Sequence, residues 1–188
     1  MTKNPKNQTM KKNVVAGLGE IGRPILKLLS KRNITVGFDL NPDLMDQRKF
    51  ERYKDLETSF LHIAIPVTAK FINNVLKLEK KFDPECIVIH STIKPGTTKK
   101  LQERLSIPVI YSATRGVHRR MIYDLKRYTK FFTISKNAPR SKWASLEFVR
   151  SMKKCGIKTK KMSKPETLEL AKIICDTSYL GWLVNYAQ

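Results

Sequence analysis

The stretch NVVAGLGEIGRPILKLLSKR, residues 13–32, decides the fold. Its first residues are a short apolar run that ends in glycines, the pattern of a buried strand. Ile21, Ile25, Leu28 and Leu29 then recur at helical spacing. Between the two elements Gly17, Gly19 and Gly22 stand as G-x-G-x-x-G. In that motif the first glycine makes a tight turn, the second lets the backbone approach a pyrophosphate, and the third allows close helix–strand packing. The helix start offers free N–H groups and a positive dipole end to phosphate. A second strand, ITVGFDL (34–40), closes with Asp39, 22 residues after Gly17. A glycine turn after a strand, a helix, a second strand and an acid form the context in which this motif binds a dinucleotide. Gly17, Gly19, Glu20, Ile21 and Gly22 are therefore predicted cofactor contacts. The Asp39 carboxylate can accept from both ribose hydroxyls and would repel a 2′-phosphate, which predicts NAD rather than NADP. The alternative for Asp39 is a turn residue before Asn41-Pro42.

The same alternation continues outward. Residues 41–56 start on Asn-Pro and predict a helix. FLHIAIPV (60–67), CIVIHST (86–92), IPVIYSAT (107–114) and KFFTIS (130–135) predict strands. TAKFINNVLKLEKKF, KPGTTKKLQERL and PRSKWASLEFVRSMKKC predict helices between them, IKTKKM a polar edge strand, and 164–188 a long last helix. Strands alternating with helices of this length predict an α/β fold, a Rossmann-type doubly wound, mostly parallel sheet with a long C-terminal helix. Ligands of such sheets sit beyond the carboxyl ends of the strands. Asp39, Pro66, Ser91 and Thr92 fall at those ends, and Pro66, Ser91 and Thr92 join the predicted cofactor contacts. The expected divisions are a disordered basic arm over 1–11, a cofactor domain over 12–163 and a linking or dimerisation helix over 164–188.

The chain of 188 residues carries 37 Lys and Arg against 16 Asp and Glu, a formal charge of +21. Such an excess points to an anionic partner or to a Lys-rich solvated surface, and says nothing of fold. Cys86, Cys155 and Cys175 are far apart and form no CxxC pair, which predicts reduced thiols, a cytoplasmic setting and no zinc site. Cys175 is expected to pack as a small apolar residue. His62 and His90 are expected to be satisfied core or rim histidines, and no metal site is predicted. The first residues lack an apolar signal-peptide core, and no run approaches the ~20 apolar residues of a membrane helix.

Four stretches together resemble the UDP-glucose/GDP-mannose (nucleotide-sugar) dehydrogenase family, within the 6-phosphogluconate dehydrogenase-like superfamily. They are VVAGLGEIGRPIL, FLHIAIPVT, STIKPGTT (91–98) and ETLELAKIICDTSYLGWLVNYA, and the resemblance covers the N-terminal NAD-binding domain of that family. It implies that Lys172 polarises the reacting substrate oxygen, that position 176 holds that oxygen or a water one turn later, and that Thr92 stands near the nicotinamide. Here position 176 is Asp176 where the family has Asn, able to pair with Lys172, act as a base or solvate the helix. The family's G-G-x-C cysteine segment is missing, so a single alcohol–carbonyl hydride transfer is expected rather than oxidation to an acid. The resemblance also implies that the last helix leads into a helical dimerisation domain. The apolar Tyr179, Trp182, Leu183 and Tyr186 then predict a homodimer through this helix, or a fragment whose partner region is elsewhere.

The segment TRGVHRRMIYDLKRYTKFF (114–132) supplies Arg115, Arg119 and Arg120 as an anion clamp and His118 as an acid or base, the alternative being a solvated basic loop. Its aromatics Tyr123, Tyr128, Phe131 and Phe132 are expected in the core. Three readings result. The first is an NAD-dependent oxidoreductase on a CH–OH group of an anionic substrate, with Lys172, Asp176, Thr92 and His118 catalytic. The second is a non-catalytic NAD-binding module or subunit. The third, a nucleic-acid binder, rests on charge alone.

Overall fold

The computed structural model describes residues 10–179 together with Trp182 and Asn185. Seven strands form one sheet in the order β2-β1-β3-β4-β5-β6-β7. They are β1 (Lys12–Ala16), β2 (Thr35–Phe38), β3 (Thr58–Ile63), β4 (Pro84–Ile89), β5 (Val109–Tyr111), β6 (Lys130–Ile134) and β7 (Thr159–Lys161). All neighbours run parallel except β5 and β6. The helices are α1 (Gly22–Leu29), α2 (Gln47–Arg52), α3 (Phe71–Phe82), α4 (Thr97–Gln102), α5 (Met121–Arg127), α6 (Ser141–Lys154) and α7 (Pro165–Ile173).

Successive strand residues point to opposite faces, and the core divides accordingly. Val15, Phe60, Val88, Ile110, Phe132 and Ile134 pack on one face with α1, α5 and α6. Val14, Ala16, Leu61, Ile63, Ile87 and Ile89 pack on the other with α3, α4 and Leu168 of α7. Helices therefore cover both faces, and the strand order reverses between β1 and β3. Gly17 follows β1 at that reversal, which is where a ligand cleft is expected.

Two sequence expectations need correction. The helix predicted over 41–56 is broken: Asn41 caps a 3-10 turn over Pro42–Leu44, and Asp46 caps a separate α2 by accepting from Lys49 N. Two Asx caps so close compete with a continuous helix. Of the aromatics expected in the core, Phe132 is buried, whereas Tyr123 and Phe131 are exposed. Phe131 points away from Phe132 by strand alternation. Residues 1–9 of the expected arm lie outside the described residues, and Lys11 is tied to Glu57 and Glu85 by ion pairs at 2.9 and 3.2 Å.

The last helix docks through one buried carboxylate. Glu169 Oε2 accepts from Gly96 N at 2.6 Å. Its Oε1 accepts from Thr98 N at 2.8 Å and from Thr98 Oγ1 at 2.5 Å. Gly96 and Thr98 open α4, so an anion from α7 satisfies the orphan N–H groups of another helix and faces its positive end. Replacing Glu169 with Ala leaves those donors unpaired. We expect a loss of about 2–3 kcal/mol in urea unfolding, with protease sensitivity confined first to the segment after residue 164.

Candidate functional site

The glycine turn has the geometry the motif requires. Gly17 has φ +89°, and a Cβ there would lie 2.6 Å from Ala64 O. A Cβ on Gly22 would lie 1.7 Å from the carbonyl oxygen of Gly17, so the turn and α1 cannot separate to admit a side chain. At Gly19 a Cβ would meet nothing within 4 Å. The space over Gly19 is thus open, and Ile21, the N-cap of α1, makes no side-chain capping bond. Asp39 lies at the end of β2 as expected. Its Oδ2 accepts from Leu18 N at 2.6 Å and its Oδ1 from Asn41 N at 2.9 Å. The carboxylate therefore fixes the glycine turn, and its remaining lone pairs are left for a ligand. Pro66 is exposed just beyond β3, and Ser91 Oγ donates to Ile65 O at 2.7 Å, joining the ends of β3 and β4.

A cleft of about 350 Å³ opens beside this turn. Its walls bring Ile21, Ser91 and Thr92 together with Arg115, Lys172 and Asp176. Residues more than 150 positions apart in sequence thus meet at the carboxyl ends of the strands. Lys172 Nζ donates to Asp176 Oδ2 one helical turn on. Directly after Ile173 the helix widens into π-helical turns over Ile174–Tyr179. Arg115 stacks its guanidinium 5.2 Å from the centre of the Tyr128 ring, which also lines the cleft.

Other predicted residues are not brought in. Arg120 Nε donates to the buried Asp124 Oδ2 at 3.1 Å, so it serves the loop before α5. Arg119 is exposed and does not line the cleft. The His118 backbone forms a 3-10 turn over His118–Arg120, and its side chain lies outside what is described. Cys175 lines the cleft rather than packing as a core residue. Among the described residues no group of three His, Cys, Asp or Glu could hold a metal.

The histidines are buried, and their tautomers follow from their partners. His90 Nδ1 lies 3.1 Å from the carbonyl of Ser112, so it must donate. His90 Nε2 then accepts from His62 Nδ1 at 3.0 Å. His62 Nε2 is left as a buried lone pair without a partner, so His62 is not the fully satisfied residue expected. Burial, then the Lys130 charge, pushes the His62 imidazole down to about 3 and holds His90 well below its ordinary value. Both are neutral.

Three contributors were missed in the sequence: Glu169, Thr114 and the buried Lys130, whose ammonium lies just under the cleft wall formed by Thr114. Signals existed for two of them. Lys130 shares strand parity with the core residues Phe132 and Ile134. Glu169 stands three residues before Lys172 and so shares its helix face.

No family model and no curated protein matches the sequence. Solved structures do match its fold. The UDP-D-ManNAc dehydrogenase from Pyrococcus horikoshii superposes with a TM-score of 0.69 at 18% identity, over 89% of this chain and 50% of that one. The chain has the fold of about half of that enzyme. The UDP-glucose dehydrogenase from Pyrobaculum islandicum gives 0.67 at 17% identity, over 92% of this chain and 50% of that one. A reductive aminase from Aspergillus terreus, in complex with NADPH4, cyclohexanone and allyl amine, gives 0.66 at 11% identity, over 96% and 64%. The likeness establishes the fold.

The two inner glycines separate folding from binding. Gly22→Ala forces a Cβ into a carbonyl and should cost about 3 kcal/mol or more, whereas Gly19→Ala should change stability by no more than about 0.5 kcal/mol. Paired urea melts check this, and equal losses would show that the turn is not built as described.

Proposed function

We propose that this chain is the cofactor-binding part of an NAD-dependent oxidoreductase that acts on a CH–OH group of an anionic substrate. The observation that carries this reading is the cleft, which gathers Lys172, Asp176, Thr92 and Arg115 around Ile21 of the glycine turn. Residues 12–163 form the cofactor domain. The helix that begins at 164 completes the site and pairs with a second copy.

NAD supplies the hydride acceptor when bound, and its pyrophosphate suits the open face of Gly19 and the N-terminal end of α1. Asp39 suits the ribose hydroxyls. The protein's own part is orientation and charge. Lys172 donates to the substrate oxygen and stabilises the negative charge that grows there. Asp176 holds Lys172 between turnovers. Thr92 lines the same cleft as Ile21 and in this reading stands near the nicotinamide. Arg115, with its planar fork, takes a carboxylate or phosphate of the substrate. The likeness to dehydrogenases of UDP-sugars makes nucleotide sugars the first substrates to try, and three free cysteines suit a reducing compartment such as the cytoplasm. No helix among the described residues is long and apolar enough to cross a membrane.

The assay panel is UDP-glucose, UDP-N-acetylmannosamine and small 2-hydroxy acids with NAD. Lys172→Ala should lower turnover by about 10²–10³-fold while calorimetric NAD affinity stays within about twofold. Asp39→Ala should do the reverse, weakening NAD first. Tight NAD binding without turnover of any panel member would favour the second reading, a non-catalytic NAD-binding module.

Pairing through the last helix is supported by Leu170, Ile174 and Trp182, which are exposed at 49%, 50% and 64%. Leu183 and Tyr186 lie outside the described residues, as does the side chain of Tyr179. Ile174→Glu should shift sedimentation from dimer to monomer, and a wild-type chain that sediments as a monomer would refute the pairing.

A further inference from the structure

Lys130 is the buried ionisable group that the reading above leaves unused. It opens β6, and its Nζ donates to the carbonyls of Ser112 and Ala113 at 2.8 and 3.2 Å and to Thr114 Oγ1 at 3.2 Å. Three neutral acceptors thus take three protons. The charged groups on the surrounding elements are mostly cationic. Lys172, Asp176 and the buried Glu169 come from α7 and its extension, Glu169 being held by the start of α4, Arg115 follows β5, and Lys158, Lys160 and Lys161 flank the β7 pairing. On α6, Glu147 is paired with Arg150. His62 and His90 on β3 and β4 are neutral and already bonded to each other. Burial, then the Lys172 charge, pushes the Lys130 ammonium from 10.5 down to about 7.

Thr114 lines the cleft. Its hydroxyl is one donor with two lone pairs. While Lys130 is an ammonium, Thr114 Oγ1 accepts from it and has its own proton to offer to the cleft. When Lys130 is a neutral amine, the Nζ lone pair can take the Thr114 proton, and the threonine oxygen can then accept from the cleft. We propose that Thr114 and Lys130 form a proton relay that carries the proton of the substrate hydroxyl from the cleft into the core. The relay rests on the oxidoreductase reading. As the C–H hydrogen leaves as hydride for the nicotinamide, the substrate O–H proton passes to Thr114 Oγ1 and the Thr114 proton passes to Lys130 Nζ. The C–O bond becomes a carbonyl, the amine becomes an ammonium, and the threonine is unchanged. Reduction runs the same path backwards. Lys172 is then free to serve as the hydrogen-bond donor to the reacting oxygen, and neither imidazole competes for the proton.

The test uses the full chain, with ¹⁵N-labelled lysine and NAD present, followed by NMR. One lysine should titrate near neutrality, disappear in Lys130→Met and move upward in Lys172→Met. If Lys130→Met fails to fold, the shift in Lys172→Met identifies the signal. Titration of every lysine near the ordinary 10.5 overturns the relay. Exchange of the Lys130 Nζ protons with solvent should slow by about tenfold or more in Thr114→Val and recover in Thr114→Ser. An unchanged rate in Thr114→Val also overturns it. With any panel substrate that turns over, Thr114→Val should lower kcat by about 10²-fold or more with KM within about twofold, and abolish the near-neutral ionisation of kcat/KM. An unaltered pH profile counts against the relay. A panel without turnover defeats the oxidoreductase reading alone, because the two NMR readouts decide the relay without substrate.

Discussion

The Glu169 carboxylate is the constraint on which the rest of the site depends. It is fully buried and accepts three hydrogen bonds from the first turn of α4. A carboxylate taken out of water must be compensated, and here the compensation is the N-terminus of another helix. That fixes more than one residue. On a helix, positions 169, 172 and 176 share a face. Once Glu169 is seated on α4, Lys172 is delivered to the cleft, Asp176 follows it in the π-helical turns, and the turn that carries Ser91 and Thr92 is held from the opposite end. Neither half of the cleft would be defined without the other. The π-helical widening begins immediately after Ile173, beyond the region that Glu169 anchors.

The fold was legible because its determinants are local. An apolar run, a glycine turn and a 3.6-residue period specify each strand–helix unit, and Gly22 packs on Gly17 and Asp39 on Leu18 and Asn41, although Gly17 also meets Ala64 just beyond β3. The α2 boundary was misread where two side-chain caps, Asn41 and Asp46, outweigh the apolar pattern. The cleft was less legible because its chemistry is tertiary. Arg115, Arg119 and Arg120 are indistinguishable in sequence, and only the path of the loop before α5 sends one to the cleft and another to Asp124. Lys130 looked like one cation among many in a basic segment. Its strand parity with Phe132 marks the face it occupies, but its three acceptors come from residues 112–114, just after the neighbouring antiparallel strand β5, which no local pattern reveals. Cys175 was read as a packed small apolar residue, whereas it lines the cleft beside Asp176.

Charge balance then constrains what the cleft can receive. Lys172 and Arg115 line the cleft with Asp176, so a ligand bearing negative charge improves the local balance and a cationic one worsens it. The position of Asp176 matters as much as its sign. Its side chain is 34% exposed, whereas that of Lys172 is 13% exposed. The lysine is therefore the anchored partner and the aspartate the solvent-facing one. An incoming oxygen that carries negative charge can take the place of Asp176 on Lys172, because it supplies the compensation that the carboxylate otherwise provides. An asparagine at 176 would leave the lysine charge unopposed in the resting cleft and strengthen its depressing effect on Lys130. On the proposed function the aspartate is a removable counter-ion. In that reading it balances Lys172 while the cleft is empty and gives way to a substrate oxygen that brings negative charge of its own.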